Sequence, residues 1–143
     1  MQPLAYDPKK VASNFIGNII TGYAKDKKIK VSFAEDTWSL YVGCDGDFTR
    51  VVNRNESGEI TISLAASSPS NDVLAAAWAL DKQTGQGSGA FNVEDFNGTS
   101  LFGAVAWVKK LPDLERGKEL GENEWVLSFG KPNVVFLGGN YST

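Results

Sequence analysis

Apolar and polar side chains alternate with period two over much of this chain. Ile29, Val31 and Phe33 fall on one side with Lys30 and Ser32 on the other; Trp38, Leu40 and Val42 alternate with Ser39 and Tyr41, and Ile60, Ile62 and Leu64 with Thr61 and Ser63. Successive side chains of an extended backbone point to opposite faces, so each segment predicts a half-buried strand. At 29–33 and 60–64 the second face is Lys, Ser or Thr, hence wet or lining a polar space. Between 42 and 60 the dipeptides Asp45-Gly46 and Ser57-Gly58 mark turns and predict consecutive antiparallel hairpins. Ala90 to Val93 begins another strand, Asn97-Gly98 a tight hairpin, and Trp125, Leu127 and Phe129 resume the alternation, with Val134 to Leu137 predicting a final strand. Leu101 to Val108 is apolar on both faces, which predicts a central strand covered on both sides.

One segment breaks this rhythm. Ser67-Ser68-Pro69-Ser70-Asn71-Asp72 precedes Val73 to Leu80 and predicts a helix over about residues 70–83. Ser68 or Ser70 is placed to cap it, Pro69 fits its first position, Asp72 favours the positive end of its dipole, and Thr84-Gly85 closes it. Leu74, Ala77, Trp78 and Asp81 follow an i, i+3, i+4, i+7 line with Val73, Ala76 and Leu80 beside it, a wide stripe expected to pack on a sheet. The pattern predicts a mainly β protein with a single flanking helix. Its 143 residues suit one domain, 1–143, with one substantial core.

Composition narrows the chemistry. Hydrophobic residues at 42% and charged residues at 22% are those of a folded globular chain. No apolar run reaches the ~18 residues of a membrane helix. Met1-Gln2-Pro3-Leu4, followed by Asp7, Lys9 and Lys10, lacks a signal-peptide core, so the chain is expected to stay where it is made. There is no histidine, and Cys44 is the only cysteine. That removes the commonest general base and metal ligand, an intrachain disulfide and a thiolate cluster. Cys44 itself reads as a partly buried structural thiol. Asp45-Gly46-Asp47 lacks the spaced acids of a calcium loop, Gly85-Gln86-Gly87-Ser88-Gly89 lacks the Lys-Ser/Thr of a phosphate loop, and no Gly-x-Ser-x-Gly elbow occurs. Glu35-Asp36, Glu94-Asp95 and Glu122/Glu124 read as solvated loop acids rather than a catalytic pair. No catalytic residue, metal ligand or cofactor site is therefore assigned. A carbohydrate-binding β-sandwich, with Trp38, Trp78, Trp107 and Trp125 as stacking surfaces, is the alternative reading. All four tryptophans sit in apolar-periodic segments, which favours core packing.

The charge is lopsided. Residues 1–31 carry six lysines against Asp7 and Asp26, a net of +4, whereas residues 32–143 carry eight basic groups against fifteen acids, a net of −7. Such a chain suits a solvated surface, or head-to-tail contact between copies, which propagates into rings or filaments. Nucleic-acid binding fits poorly with a pI of about 4.9.

Tyr6-Asp7-Pro8-Lys9-Lys10-Val11, Thr21-Gly22-Tyr23-Ala24, Gly46-Asp47-Phe48-Thr49-Arg50-Val51, Ser67 to Ala75, and Gly117-Lys118-Glu119 through Glu124-Trp125 together resemble, in the same order over nearly the whole chain, the short tail tube proteins of contractile-tailed bacteriophages. The resemblance implies an antiparallel β-barrel-like sandwich flanked by one α-helix, akin to the tube proteins of tailocins and type VI secretion. It implies rings of six copies stacked into a hollow virion tail tube that conducts double-stranded DNA without binding it specifically. Expected partners are the chain itself, the tail sheath, the baseplate or tube initiator, the tape measure and the tail terminator, with synthesis in the host bacterial cytoplasm and no membrane insertion. Strands 29–33 and 60–64 would join sheet edges with neighbours, placing Ser32, Thr61 and Ser63 on the lumen. An N-terminal arm at about 1–10, a hairpin at about 43–58 with Asp45, Asp47, Arg50, Arg54 and Glu56, and the 109–121 excursion with Arg116, Lys118 and Glu119 would reach the adjacent ring. A duct for DNA must not grip phosphates, so acids are expected to outnumber bases on its wall, with Lys25, Lys27 and Lys28 facing elsewhere.

Overall fold

A computed structural model describes residues 5–139; residues 1–4 of the expected arm lie outside them. Among the described residues the fold is mainly β and antiparallel throughout, with one α-helix and a short 3-10 turn at Pro8–Lys10. Seven strands form one sheet in the order β2-β1-β7-β8-β9-β6-β3: β1 Val11–Phe15, β2 Asn18–Ile19, β3 Ile29–Phe33, β6 Gly58–Ala65, β7 Gly89–Asp95, β8 Leu101–Lys110 and β9 Glu122–Phe136. β4 Trp38–Val42 and β5 Phe48–Val52 form a separate two-stranded sheet.

Period two decides the two faces of the large sheet. Phe15, Phe91, Phe102, Ala104, Ala106, Val108, Trp125, Leu127, Phe129, Ile60, Ile62 and Leu64 turn inward and form one buried cluster. Phe102 and Phe129 of this cluster meet each other and the more exposed Phe33 at its margin edge to face, at centroid separations of 5.1 to 6.5 Å, the geometry that aromatic quadrupoles favour. The sheet curls around this core without closing. β3 and β1 are not hydrogen-bonded to each other, and a cavity of about 310 Å³ between Val11, Val31, Val93 and Phe102 marks the open seam.

α1 spans Ser70–Thr84 and packs against β8, where the small Ala104 and Ala106 share its buried cluster with Leu74 and Ala77. Gly85 ends it in the left-handed region (φ 73°) with its N–H on Asp81 O, as a Cβ-free residue does best. The helix start differs from the sequence reading. Pro69 holds the cap position and makes no side-chain bond of its own, while Ser68 Oγ accepts from the first helical N–H, that of Ser70, at 3.2 Å. Ser68 and Ser70 are buried and also hold Thr21: Ser68 Oγ donates to Thr21 O and Thr21 N donates to Ser70 Oγ. The buried stripe is also narrower than expected, with Leu80 exposed and Trp78 half-buried.

Four further readings are revised. Val134–Phe136 is the end of β9, not a separate strand, and β8 is central but bare on its outer face, where Leu101 and Val105 are exposed. Glu94, Asp95, Glu122 and Glu124 lie on strands rather than loops. Of the tryptophans only Trp125 is buried, at 3% exposure, while Trp38 is 50% exposed. The hairpin β1–β2 was not foreseen. It turns on Ile16 (φ 53°) and Gly17 (φ 79°), both left-handed, and the isoleucine stands where an asparagine would have advertised the turn.

Candidate assembly surfaces

β3, β4, β5 and β6 form one interrupted ribbon. β3 pairs with β6 in the body, β4 pairs with β5 outside it, and two hydrogen bonds, Ala34 N to Ser57 O at 2.9 Å and Asn53 N to Thr37 O at 2.7 Å, carry the pairing through the bend between them. Five residues per strand give the distal half a reach of about 17 Å. Opposite residues of an antiparallel pair share a face. The register Trp38↔Val52, Leu40↔Arg50, Val42↔Phe48 therefore collects an apolar face, and Ser39↔Val51, Tyr41↔Thr49 a mixed one.

The expected contact residues divide between three places. Asp45 and Asp47 stand exposed at the ribbon tip beside Cys44, which is free and exposed rather than partly buried. Arg50 lies along the apolar face, its guanidinium 4.4 Å from the Trp38 ring centroid, so it stacks on the indole and occupies the face a sugar would need. Arg54 and Glu56 lie at the bend, near Glu35 and Asp36; Asn53 Nδ2 donates to Glu35 at 2.5 Å, and Lys131 is 3.9 Å from Glu56. Arg116, Lys118 and Glu119 are exposed on the segment after β8, with Leu114 and Leu120.

Five of the six lysines of the basic N-terminal part gather in a cleft of about 840 Å³ on the outer face of the sheet, bordered by Lys9, Lys25, Lys27, Lys28 and Lys30 with the acids Asp26 and Glu124, and Thr61 and Ser63 line the same cleft. Ser63 is only 5% exposed, and the chain segment over it is tied down by Ala24 N to Ser63 O and Ser63 N to Lys28 O. Lys28 crosses the open seam: its Nζ donates to the carbonyls of Pro8, at 2.6 Å, and Val11, and sits 4.5 Å from the Tyr23 ring centroid. Desolvation by burial lowers its pKa, with Asp7 and Asp95 opposing. Tyr23 hydrogen-bonds Ser13, and burial raises its phenol above the ordinary 10.0. Asn97, 1% exposed, holds the arm at Asp7 by accepting from its N–H at 3.0 Å and donating to its carbonyl at 2.8 Å.

Two sequence expectations collide in this cleft. Thr61 and Ser63 share one cleft with Lys25, Lys27 and Lys28, so a bore lined by these two hydroxyls would have the three lysines beside it. The expectation for edges also needs correction. β6 is hydrogen-bonded on both sides, by β3 and β9, so of the two strands only β3, at the sheet margin, has a free edge for a neighbour.

A feature the sequence reading passed over completes the surface. Leu101↔Phe136 and Gly103↔Val134 are paired across β8 and β9, and Leu101, Val105, Val134 and Phe136 form an exposed apolar strip on the outer face. Its signal was present in the double-sided hydrophobicity of 101–108.

Residues 17–138 match the family of the bacteriophage PhiTE tail tube protein. The chain is 34% identical over 133 residues to the structural protein ORF10 of Pseudomonas phage KPP10, covering 90% of this chain and 76% of that one. Its fold resembles a chain in the cryo-EM structure of the anti-feeding prophage cap, a tube-terminating cap (TM-score 0.60, 10% identity, 93% and 92% coverage). It also resembles chains in the sheath/tube terminator and the sheath-tube complex of the PVC extracellular contractile injection system, both in the extended state (TM-score 0.59 and 13% identity for each). These cover 90% of this chain, and 94% and 89% of the respective neighbours.

Proposed function

The chain belongs to the bacteriophage PhiTE tail tube protein family, and from that premise we propose that its copies close into hexameric rings that stack into the hollow inner tube of a contractile tail and conduct DNA during infection. Its relatives are structural tail proteins, and the role proposed is to build rather than to catalyse. The observation that carries this reading is the β4–β5 ribbon, which stands outside the body with most of its apolar face bare. A two-stranded hairpin alone in water is marginal, so such an arm suits a chain that is completed by its neighbours.

The ribbon tip with Asp45 and Asp47, its stem with Arg50, Arg54 and Glu56, and the loop with Arg116, Lys118 and Glu119 are proposed to meet the adjacent ring, together with the arm held at Asp7. β3, with its free edge, pairs laterally. The lysine cleft belongs at a contact between subunits and not on the wall of the duct, since lysines there would bind phosphates and slow transit. Of the three hydroxyl candidates, Ser32 stands on the same sheet face, beside Lys30, but outside the lining of that cleft, and is the one retained for the lumen. Location in the virion, assembly in the host cytoplasm, and partnership with sheath, terminator, baseplate initiator and tape measure follow from the same reading. Negative-stain electron microscopy of the purified full chain tests it. Rings or tubes of uniform width are expected, and a chain that stays single at every concentration and leaves no intermolecular cross-link overturns it.

A further inference from the structure

We infer that the apolar face of the β4–β5 ribbon of one copy lies on the outer β8–β9 strip of the next, so that the two bare patches of this chain are the two halves of a single joint. The inference rests on the tube reading and names the surface that receives the arm. The ribbon face presents Trp38, Leu40, Val42 and Phe48, between 50% and 72% exposed, and the half-buried Val52. The strip presents Leu101, Val105, Val134 and Phe136, between 38% and 59% exposed. Contiguous apolar faces of this kind mark interaction sites when they lie on a folded chain.

The occupant is a second copy because neither patch is covered by its own chain and because the patches match in kind. Each is a two-stranded antiparallel surface of branched aliphatic side chains with an aromatic at one position or more. The ribbon supplies an aromatic-rich ridge. Along the strip Gly103 lies between Leu101 and Val105 and opposite Val134, with the Asn92 amide oxygen seated over it. A joint between two different patches is heterologous, so each copy keeps one patch free after the first contact, and the assembly propagates into a ring or a stack instead of stopping at a pair. Arg50, already held over the Trp38 ring, enters the joint as part of that surface, which suits the arginine enrichment of interface cores.

Leu40→Asp spoils the ribbon and Val105→Asp spoils the strip; both positions are exposed, so each variant keeps its core. Each alone should need at least about thirty times the native concentration to polymerise, with an unchanged far-ultraviolet circular dichroism spectrum. Mixed together, they retain one good ribbon and one good strip between them. Light scattering should then read a one-to-one pair that grows no further. If Val105→Asp polymerises as the native chain does, or if the mixture stays single, the joint is wrong while the tube reading stands. A pair formed by Val105→Asp alone would show ribbon packed on ribbon and also overturns it. A disulfide between Leu40→Cys and Val105→Cys on separate copies, in a Cys44→Ser background, gives an independent measure, and its absence from native-like tubes counts against the joint.

Discussion

Replacing Asn71 by alanine should be among the most destabilising single changes at a polar side chain. Its Oδ1 accepts from Trp125 Nε1 at 2.9 Å and from Asn123 Nδ2 at 3.1 Å, and its Nδ2 donates to the carbonyls of Ala65 and Ser68 at 3.0 and 2.9 Å. The two carbonyls keep other donors, Ser68 N and Asn71 N. The Trp125 indole does not, and its residue is 3% exposed. An orphaned buried donor costs about 1–3 kcal/mol, and each net hydrogen bond adds roughly 1 kcal/mol more. Asn71→Ala should therefore lose about 3 kcal/mol. In a chain of this size that lowers the melting temperature by roughly 6–12 °C. Chemical denaturation of the four members of a cycle with Trp125→Phe isolates the term. In the Trp125→Phe background the donor is gone, so the same change at Asn71 should cost at least about 1 kcal/mol less. Equal costs in the two backgrounds, or a loss below about 1 kcal/mol in the native chain, would refute the claim that this amide pins the start of α1 to β9.

The phenol of Tyr23 titrates above its ordinary value because it is buried. Its contribution to stability is whole below pH 10 and is lost as pH rises through its folded value, so Tyr23→Phe should flatten the alkaline fall in a denaturation series; an unchanged slope would contradict this. Cys44, free and exposed, should react readily with a maleimide in the isolated subunit and at least about tenfold more slowly in tubes, and equal rates would place the ribbon tip outside every contact. Lys25→Glu with Lys27→Glu should raise the onset concentration for assembly and weaken its dependence on salt while moving subunit stability by no more than about 0.5 kcal/mol. Assembly indifferent to both changes would remove the cleft from the contacts.

What the sequence made legible followed one rule. Where a single face is buried, as at Ile60, Ile62 and Leu64 or Trp125, Leu127 and Phe129, period two named both strand and core. The same rule misled at Trp38, Leu40 and Val42, whose alternation matches a core strand although the strand stands in solvent. Alternation records that a face is destined for burial and not which chain buries it. The helix was found by its breakers, and Ser68 accepts from its first N–H, but Ser68 and Ser70 also hydrogen-bond to Thr21, 47 and 49 residues away, a partner no local pattern contains. The lysine cleft was visible as charge in residues 25–30, but Thr61 and Ser63 join it only through the β3–β6 register. Leu101 to Val108 announced two apolar faces, and only the fold revealed that its own chain covers just one.

The bend that carries β3 into β4 and β5 into β6 is spanned by two backbone hydrogen bonds, while the strands beyond it pack chiefly on each other. In the proposed tube those ten residues acquire their hydrophobic interior on meeting another molecule. Growth of the polymer is then partly a folding reaction, and its calorimetric trace should carry the large negative heat-capacity change that accompanies ordering together with burial. Such a step is slow to begin and cooperative once begun, so a pool of newly made subunits stays dispersed until a template offers the first place to land.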